Sequence, residues 1–449
     1  MRVNIIFIIA LYCGVLGCSK NEIPVIIPEE EVVIKESTLP QVKVNTNNQP
    51  IPDDPKIKAS LQITQVGNLL FEGPIGIEIR GQSSQMFPKK QYGFETYDAN
   101  GEGISVSLLN FPEEEDWIFH APYSDKSLMR NVLMYDLSRD MGRYASRVKF
   151  VDFYLNGNYD GLYILMEKLK RDKNRIDLNS LKPDENEGAD LTGGYILKID
   201  KEAQYTAQNS FKSTIAPPAA LNGQEIRFLY ENPKPEEITP QQRKYITEYI
   251  AKFESVLASE AYASPDSGYT TLIDVPSFID FFILTELSNN VDGYRLSTYL
   301  TKDKNKKLAM GPIWDFNLAF GNANYCQGSA TDVWAYKFNE RCPTDFWQVP
   351  FWWSKLLNDQ QFRAQVKKRW GELRINVLSE TKIMGKMDAY QKELDEAGSL
   401  QRNFARWPVL GTYVWPNEFI GNTHKEELDY MKNWISKRLS WLDGQIGAF

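Results

Sequence analysis

The amino-acid sequence predicts an α+β domain, rich in strands through its first part and in helices through its second. Three observations carry this. Short apolar runs alternate with turn residues from Ile57 to Asp200, apolar positions repeat at helical spacing in long segments beyond Pro240, and no repeat or low-complexity break divides residues 59–449. That stretch is long enough for one large core.

Arg2 precedes an apolar run from Val3 to Leu16, which ends in Val15-Leu16-Gly17-Cys18. This is the grammar of a signal peptide over residues 1–17 with a lipobox cysteine, and the run is shorter than a spanning helix requires. The expectation is an exported bacterial lipoprotein, lipidated on Cys18 and touching the membrane through that lipid alone. Ser19-Lys20-Asn21-Glu22 suggests the outer-membrane surface as its place in the cell envelope. Residues 18–58 are rich in Pro, Glu, Asn and Val without periodicity, and are assigned to a tether.

Within the domain, Ile57–Val66, Gly76–Arg80 and Gln91–Tyr97 are expected to be strands in hairpins, with Ile75, Ile77 and Ile79 on one face. Ser124–Met141 starts with capping residues and is expected to be a helix. Two apolar runs flank Asn156-Gly157-Asn158, a strong hairpin signal. GGYILKID adds a strand, and the clearest later helices are Gln241–Ser259, Val275–Leu287, Asp359–Glu380 and Lys425–Leu442.

Charge and cysteine content narrow the chemistry. The net charge is −8 with basic residues scattered, which argues against a nucleic-acid partner. Cys13 leaves with the signal peptide and Cys18 takes lipid, so Cys326 and Cys342 remain to pair in an oxidising compartment. Such a bridge contributes roughly 3 kcal/mol by the chain-entropy account. With only His120 and His424, and no G-x-S-x-G, a serine-histidine or zinc site is improbable. Both histidines are read as structural or surface residues.

Two segments attract attention because polar groups stand where apolar elements stop. The helix FFILTELS runs into Asn289-Asn290-Val291-Asp292-Gly293, and the run KKLAMGPI leads into Trp314-Asp315-Phe316-Asn317. A hairpin between them brings both aspartates together, although either alone is more often a turn former or cap. Paired carboxylates with flanking Asn suit a hard cation such as Mg²⁺, and with an upstream lysine they suit phosphoryl transfer. Lys90 or Lys89 supplies the lysine; charges protecting a strand edge are the plainer account of both.

Longer motifs then bear on the choice. RGQSSQMFPKKQYGFE, LMRNVLMYDLSRDMG, FVDFYLNGNYDGLYILMEKLKRDKNRI and GPIWDFNLAFGN, in this order over roughly residues 60–440, resemble the CotH family of atypical protein kinases. The resemblance implies a divergent protein-kinase-like fold of two lobes, the first β-rich and the second α-rich, with ATP between them. It implies Asp292 as the catalytic-loop aspartate and Asp315 as the metal-binding aspartate. Arg80, Ser83, Ser84 and Lys90 would line the phosphates, and Glu167 would sit at the lobe junction, contacting the nucleotide or capping a strand. Where many members carry the second metal ligand Asn, this chain has Ser297, for which Asn290 or Asn317 can compensate. Lys198 stands where members often carry an acidic residue.

The reading that leads is therefore an ATP- and Mg²⁺-dependent kinase acting on Ser or Thr of secreted or envelope proteins. Against it stands the scarcity of ATP outside the cytoplasm, and fold does not guarantee function. One alternative is a catalytically weak or inactive kinase-like surface module that binds glycan or envelope polymer. It draws on 11 Trp and 23 Tyr and on the clusters DFWQVPFWW and RWPVLGTYVWPNEF, although such aromatics are more often core. Another is a hydrolase working with two carboxylates, which leaves Lys90 and RGQSS without a role.

Overall fold

The computed structural model describes residues 37–221 and 223–449. The expected signal peptide, Cys18 and the first part of the expected tether lie outside the described residues. Seven strands close a barrel: β1 (Gln41–Asn45), β2 (Ile57–Gln65), β3 (Asn68–Arg80), β4 (Gln91–Thr96), β5 (Asp116–His120), β6 (Val148–Leu155) and β7 (Asn158–Glu167), in the order β1-β2-β3-β4-β5-β7-β6. Neighbours are antiparallel except β1 and β6, which close the barrel in parallel.

The tether assigned to residues 18–58 is corrected by β1. Val42 and Val44 alternate with polar residues and are buried in the barrel, paired with β2 on one side and β6 on the other. Five residues with two apolar positions are too short a period-2 signal to read without the partner strands.

The β6–β7 hairpin forms as expected, with Asn156 and Gly157 at φ 50° and 82°, the left-handed pair that a tight hairpin turn needs. Strand β7 is apolar on both faces for a structural reason. Tyr163 and Leu165 point into the barrel core, whereas Leu162, Ile164 and Met166 join the larger core under the helices. A strand buried on two sides loses the polar alternation of a solvent-facing one.

A second sheet has the order β12-β11-β8-β10-β9 and is built from β8 (Tyr195–Ile199), β9 (Ser210–Lys212), β10 (Arg227–Asn232), β11 (Thr298–Lys302) and β12 (Leu308–Met310). Helices supply most of the rest: α1 (Arg130–Asp140), α2 (Pro240–Ala258), α3 (Val275–Ser288), α4 (Phe338–Arg341), α5 (Trp352–Asn358), α6 (Gln360–Arg374), α7 (Glu380–Glu396), α8 (Ser399–Arg406) and α9 (His424–Gly447). The mixed architecture, β-rich first and helical later, is the expected one. Among the described residues no helix is long and apolar enough to cross a membrane.

Local chemistry explains where the helices begin and end. At α2, Thr239 and Gln242 form a reciprocal capping box and Pro240 occupies the first turn. Helix α1 starts later than Ser124, because the Asp125 carboxylate accepts from the backbone N–H of Ser127 and Arg130 and holds a turn with Leu128 at φ 66°. The helix expected over Asp359–Glu380 is two: Asp359 caps α6 through the Gln361 N–H at 2.9 Å, and the chain breaks after Arg374 before α7. Trp352 and Trp353 of the DFWQVPFWW cluster are core residues at no more than 1% exposure, so they offer no glycan platform.

Helix α3 is buried on nearly every face and ends at Asn289, which adopts a left-handed conformation (φ 41°). Its Glu286 is fully buried and accepts from Arg438 of α9 (3.2 Å), from the Ala335 and Tyr336 N–H groups (2.7 and 2.9 Å) and from the Tyr294 hydroxyl (3.1 Å). Arg438 also donates to the carbonyls of Glu286, Thr331 and Val333. Asn289 donates to the carbonyls of Gln327, Gly328 and Ala330, fixing the loop that the Cys326–Cys342 disulfide closes, Cα to Cα 5.6 Å. Glu286→Ala would leave Arg438 charged and buried without its partner. Chemical denaturation should show a loss of about 3–5 kcal/mol; a change below about 1 kcal/mol would show that the pair does not hold α3 and α9 together.

Candidate functional site

Four chain segments converge on a cavity of about 290 Å³. Strand β3 delivers Arg80 and then turns at Gly81, whose φ of 91° and whose place 2.1 Å from Ser84 Oγ, measured from where a Cβ would stand, leave no room for a side chain. The turn presents Ser83 and Ser84. Strand β8 ends one residue before Asp200. The loop after α3 carries Asp292 and leads through Ser297 into β11, and the segment after β12 carries Trp314, Asp315 and Asn317. Thus Arg80, Ser83, Ser84, Asp292, Ser297, Asp315 and Asn317, all anticipated from the sequence, line one space.

Backbone strain is concentrated here. Asn289, Tyr294, Ser297 and Asp315 all take positive φ (41°, 69°, 47° and 61°), a conformation that non-glycine residues adopt at a cost and that clusters at functional sites. The surrounding structure holds them in place. Tyr135 Oη of α1 accepts from the Asp315 N–H (3.2 Å), Asn131 Oδ1 accepts from the Phe316 N–H (2.6 Å), and Asn290 donates to the Asp315 carbonyl (3.0 Å). The LMRN helix is therefore the support of the WDF segment. Tyr135 stacks on Trp314, over which the Arg80 guanidinium lies at 5.6 Å.

The electrostatics are dominated by acids placed together. Burial raises the Asp315 carboxyl to about 7, reinforced by Asp292 and Asp200 and opposed by Arg80 and Lys201. Among the described residues, no hydrogen bond or ion pair engages the Asp315 carboxylate. Burial also raises Asp200, against the pull of Lys198 and of the Lys201 and Ser297 backbone N–H groups, with Asp292 adding to the rise. Asp292 is held differently, by Arg295 Nη2 at 3.0 Å. Arg295 is itself buried, donating to Asp345 (3.1 Å), to the carbonyls of Val291 and Trp347, and lying 3.9 Å over Phe338.

Three expected roles need correction or addition. Lys90 does not line the cavity; its ammonium donates to the Gln85 carbonyl. Lys89 is buried elsewhere, on the Leu162 carbonyl (2.6 Å) and Asn403 (3.0 Å), and burial lowers it to about 7. Adjacent strand-edge residues point to opposite sides, and neither side here is the cavity. Glu167 is fully buried and committed to Arg147 (2.6 Å), Tyr144 (3.1 Å) and the Arg147 N–H (2.9 Å), so its role is structural. The cavity's cations are instead Arg80, Lys198 and Lys201. Burial lowers Lys198, but Tyr299, Glu231 and Asp200 together hold its ammonium above its ordinary range. Lys201 donates to Ser83 Oγ at 3.2 Å.

Asp200, with Lys201 beside it, is what sequence reasoning missed. Its strand was expected, and a carboxylate just past a strand end was the available signal, but only the pairing of β8 with β11 places it beside Ser297. His120 also lines the cavity; burial lowers it to about 4, and Gln91 (2.8 Å) and Asn131 (3.3 Å) engage its two nitrogens. It is a neutral structural group, as read, though not a surface one.

The donor set fits a hard divalent cation: carboxylate oxygens from Asp315 and Asp292 or Asp200, with the oxygens of Ser297 and Asn317 nearby. The carboxylates do not all approach within 4.8 Å of one another; among the described residues that spacing occurs at Glu114, Glu115 and Asp116, where Lys170 neutralises them at 2.8–3.2 Å. Mg²⁺ keeps several waters and shares ligands with phosphates, which suits the wider spacing.

A family model described as CotH kinase protein matches residues 77–442 of this sequence, from the end of β3 into α9. The chain belongs to the CotH family. Among characterised proteins, the inner spore coat protein H of Bacillus subtilis (strain 168) is similar, 21% identical over 317 residues, which cover 70% of this chain and 74% of that protein. All seven cavity residues anticipated from the sequence fall within the matched span.

The raised Asp315 carboxyl carries a pH signature. Its folded-state value lies above that of an unfolded aspartate, so the native state binds the extra proton and stability falls as pH rises from about 4 to about 7. Asp315→Asn should match the wild type in denaturation midpoint near pH 4 and exceed it near pH 8. An equal gap at both values would mean that Asp315 does not titrate high.

Proposed function

We propose that the chain is an exported, lipid-anchored kinase that transfers the γ-phosphate of ATP to Ser or Thr hydroxyls of secreted or envelope proteins. The observation that carries this reading is the meeting of Asp292 and Asp315 in one cavity, with the Arg80–Ser84 turn forming another wall, in a member of the CotH family. The β-rich and helical parts would then act as the two lobes of a kinase-like arrangement around the nucleotide. Anchoring through Cys18 rests on the signal-peptide grammar alone.

Each residue has a role that its surroundings suit. Asp292, oriented by Arg295, would receive the acceptor hydroxyl and take its proton as the new phosphorus–oxygen bond forms and the γ-phosphorus bond to the bridging oxygen breaks, releasing ADP. Asp315 would hold Mg²⁺, with Ser297, Asn317 and Asp200 as the further oxygen donors lining the cavity. The bound cation supplies charge neutralisation between the phosphates. Arg80, Lys198 and Lys201 offset the remaining phosphate charge, and Ser83 and Ser84 donate hydroxyl hydrogen bonds. Lys198 takes over the cationic role first assigned to Lys90.

Calorimetric titration of the full chain with ATP tests this. Binding should require Mg²⁺ and vanish in Asp315→Ala, whereas Asp292→Asn should bind ATP and lose transfer to an acceptor protein. No heat with or without Mg²⁺ would sink the kinase reading and favour a surface module without nucleotide. Arg295→Ala should lower transfer by about a hundredfold at unchanged ATP affinity, since a misplaced acceptor group costs that order of rate; Arg295→Lys should recover part of it. Loss of ATP affinity in Arg295→Ala would instead make the residue part of the nucleotide site.

A further inference from the structure

Beside the cavity lies a second, more open groove of about 680 Å³, formed by β9, β10, α2 and the loop after β8. Tyr205, Phe211 and Tyr230 give it aromatic walls. Four cations from three elements face it: Lys212 from β9, Arg227 from β10, and Arg243 and Lys244 from α2. Glu248 is the one carboxylate among its lining residues.

The cations are incompletely neutralised. Lys212 and Arg227 stand directly opposite each other across the β9–β10 pair, and like charges in that register destabilise a sheet. Arg227 is relieved by Glu225 at 2.6 Å, and Lys244 only by an exposed, long contact to Glu248 at 3.9 Å. Arg243 lies 5.7 Å over the Tyr230 ring, donates to the Pro235 carbonyl, and keeps a buried Nε without a hydrogen-bond partner. Lys212 is exposed and has no ion pair among the described residues. In a chain of net charge −8, this convergence is unusual and favours an acidic occupant.

The groove and the cavity share a wall. Tyr205 lines the groove, and its hydroxyl donates at 3.0 Å to the carbonyl of Asp200, which lines the cavity. Trp347 braces the same hydroxyl at 3.3 Å. An extended polypeptide with its hydroxyl at Asp292 therefore has a path across Tyr205 into the groove. Strand β9 is the edge of its sheet, so main-chain pairing is available there too.

We propose that this groove docks an acidic segment of the acceptor protein, displaced from the phosphorylated Ser or Thr by roughly three to six residues at about 3.3 Å per residue. The displacement has a physical cause. Asp200, Asp292 and Asp315 repel acidic side chains next to the acceptor hydroxyl, while Lys212, Arg227, Arg243 and Lys244 attract them farther along. The inference deepens the kinase reading and rests on it for the acceptor's identity, though not for binding.

Fluorescence anisotropy with the full chain decides it, using a labelled peptide that carries a serine followed at that distance by a run of aspartates. A second peptide has lysines in their place. The aspartate peptide should bind with an affinity that falls as salt is raised, and the lysine peptide should bind at least roughly tenfold more weakly. In the double variant K212E/K244E, both exposed positions, the aspartate peptide should weaken by roughly tenfold or more while the thermal midpoint does not fall. Equal binding of the two peptides, or an unchanged affinity in the folded double variant, would overturn the proposal. Selective peptide binding by a chain that transfers no phosphate would leave the groove standing and remove the kinase reading instead.

Discussion

The geometry of the cavity depends on where helix α3 stops, and the buried Glu286–Arg438 pair sets that point. A fully buried carboxylate is costly unless its lone pairs are taken up, and here an arginine, two backbone amides and a tyrosine hydroxyl take them. The same contacts tie α3 to α9 and to the segment Thr331–Tyr336. With the last turn of α3 anchored from three sides, Asn289 can adopt its left-handed conformation and send the chain into the loop that carries Asp292. Two of the network's members, Tyr294 and Asn289, are themselves strained residues of that loop or its start, so stability deep in the core is coupled directly to the shape of the site.

A second constraint follows from placing three aspartates around one small space. Burial, reinforced by the neighbouring carboxylates, raises the affinity of Asp315 and Asp200 for protons, and the same crowding of negative charge favours a cation. Arg80, Lys198 and Lys201 relieve part of that repulsion without pairing with Asp315. The arrangement is poised for a positively charged visitor, and the proposed Mg²⁺–ATP complex supplies a cation and, on its other side, phosphates that the same arginine and lysines suit. The acidic interior also bears on the neighbouring basic groove, because the proposed acceptor chain, crossing from one to the other, would meet opposite fields.

Much of the fold was legible because it rests on local chemistry. The Asn156-Gly157 turn, the Thr239–Gln242 capping box and the strongly apolar α3 announce themselves in a few residues each, and the pairing of Cys326 with Cys342 followed from elimination and compartment. The Asp292–Asp315 hairpin was legible as well, since the strand-like run after Asp292 and the one before Asp315 pair as β11 and β12. What escaped was whatever depends on a distant partner. Strand β1 is recognisable only once β2 and β6 lie on either side of it, and α1 is shorter than its pattern because Asp125 captures two amides before the helix begins. Lys90 has the right chemistry for a phosphate site and Glu167 falls near the lobe junction, yet their side chains turn to Gln85 and to Arg147 and Tyr144. Asp200 enters through the β8–β11 register, which no single segment encodes.

We propose that Asp315 and its neighbouring acids form a cation site serving a nucleotide in the same cavity. The most direct measurement is a crystal structure of the full chain grown with Mn²⁺ and a non-hydrolysable ATP analogue, read by anomalous scattering. The account predicts a manganese peak beside the Asp315 carboxylate, with the analogue's phosphates between it and the Arg80–Ser84 turn. A peak at Glu114–Asp116 with the cavity empty, or a nucleotide bound away from Asp315, would contradict it.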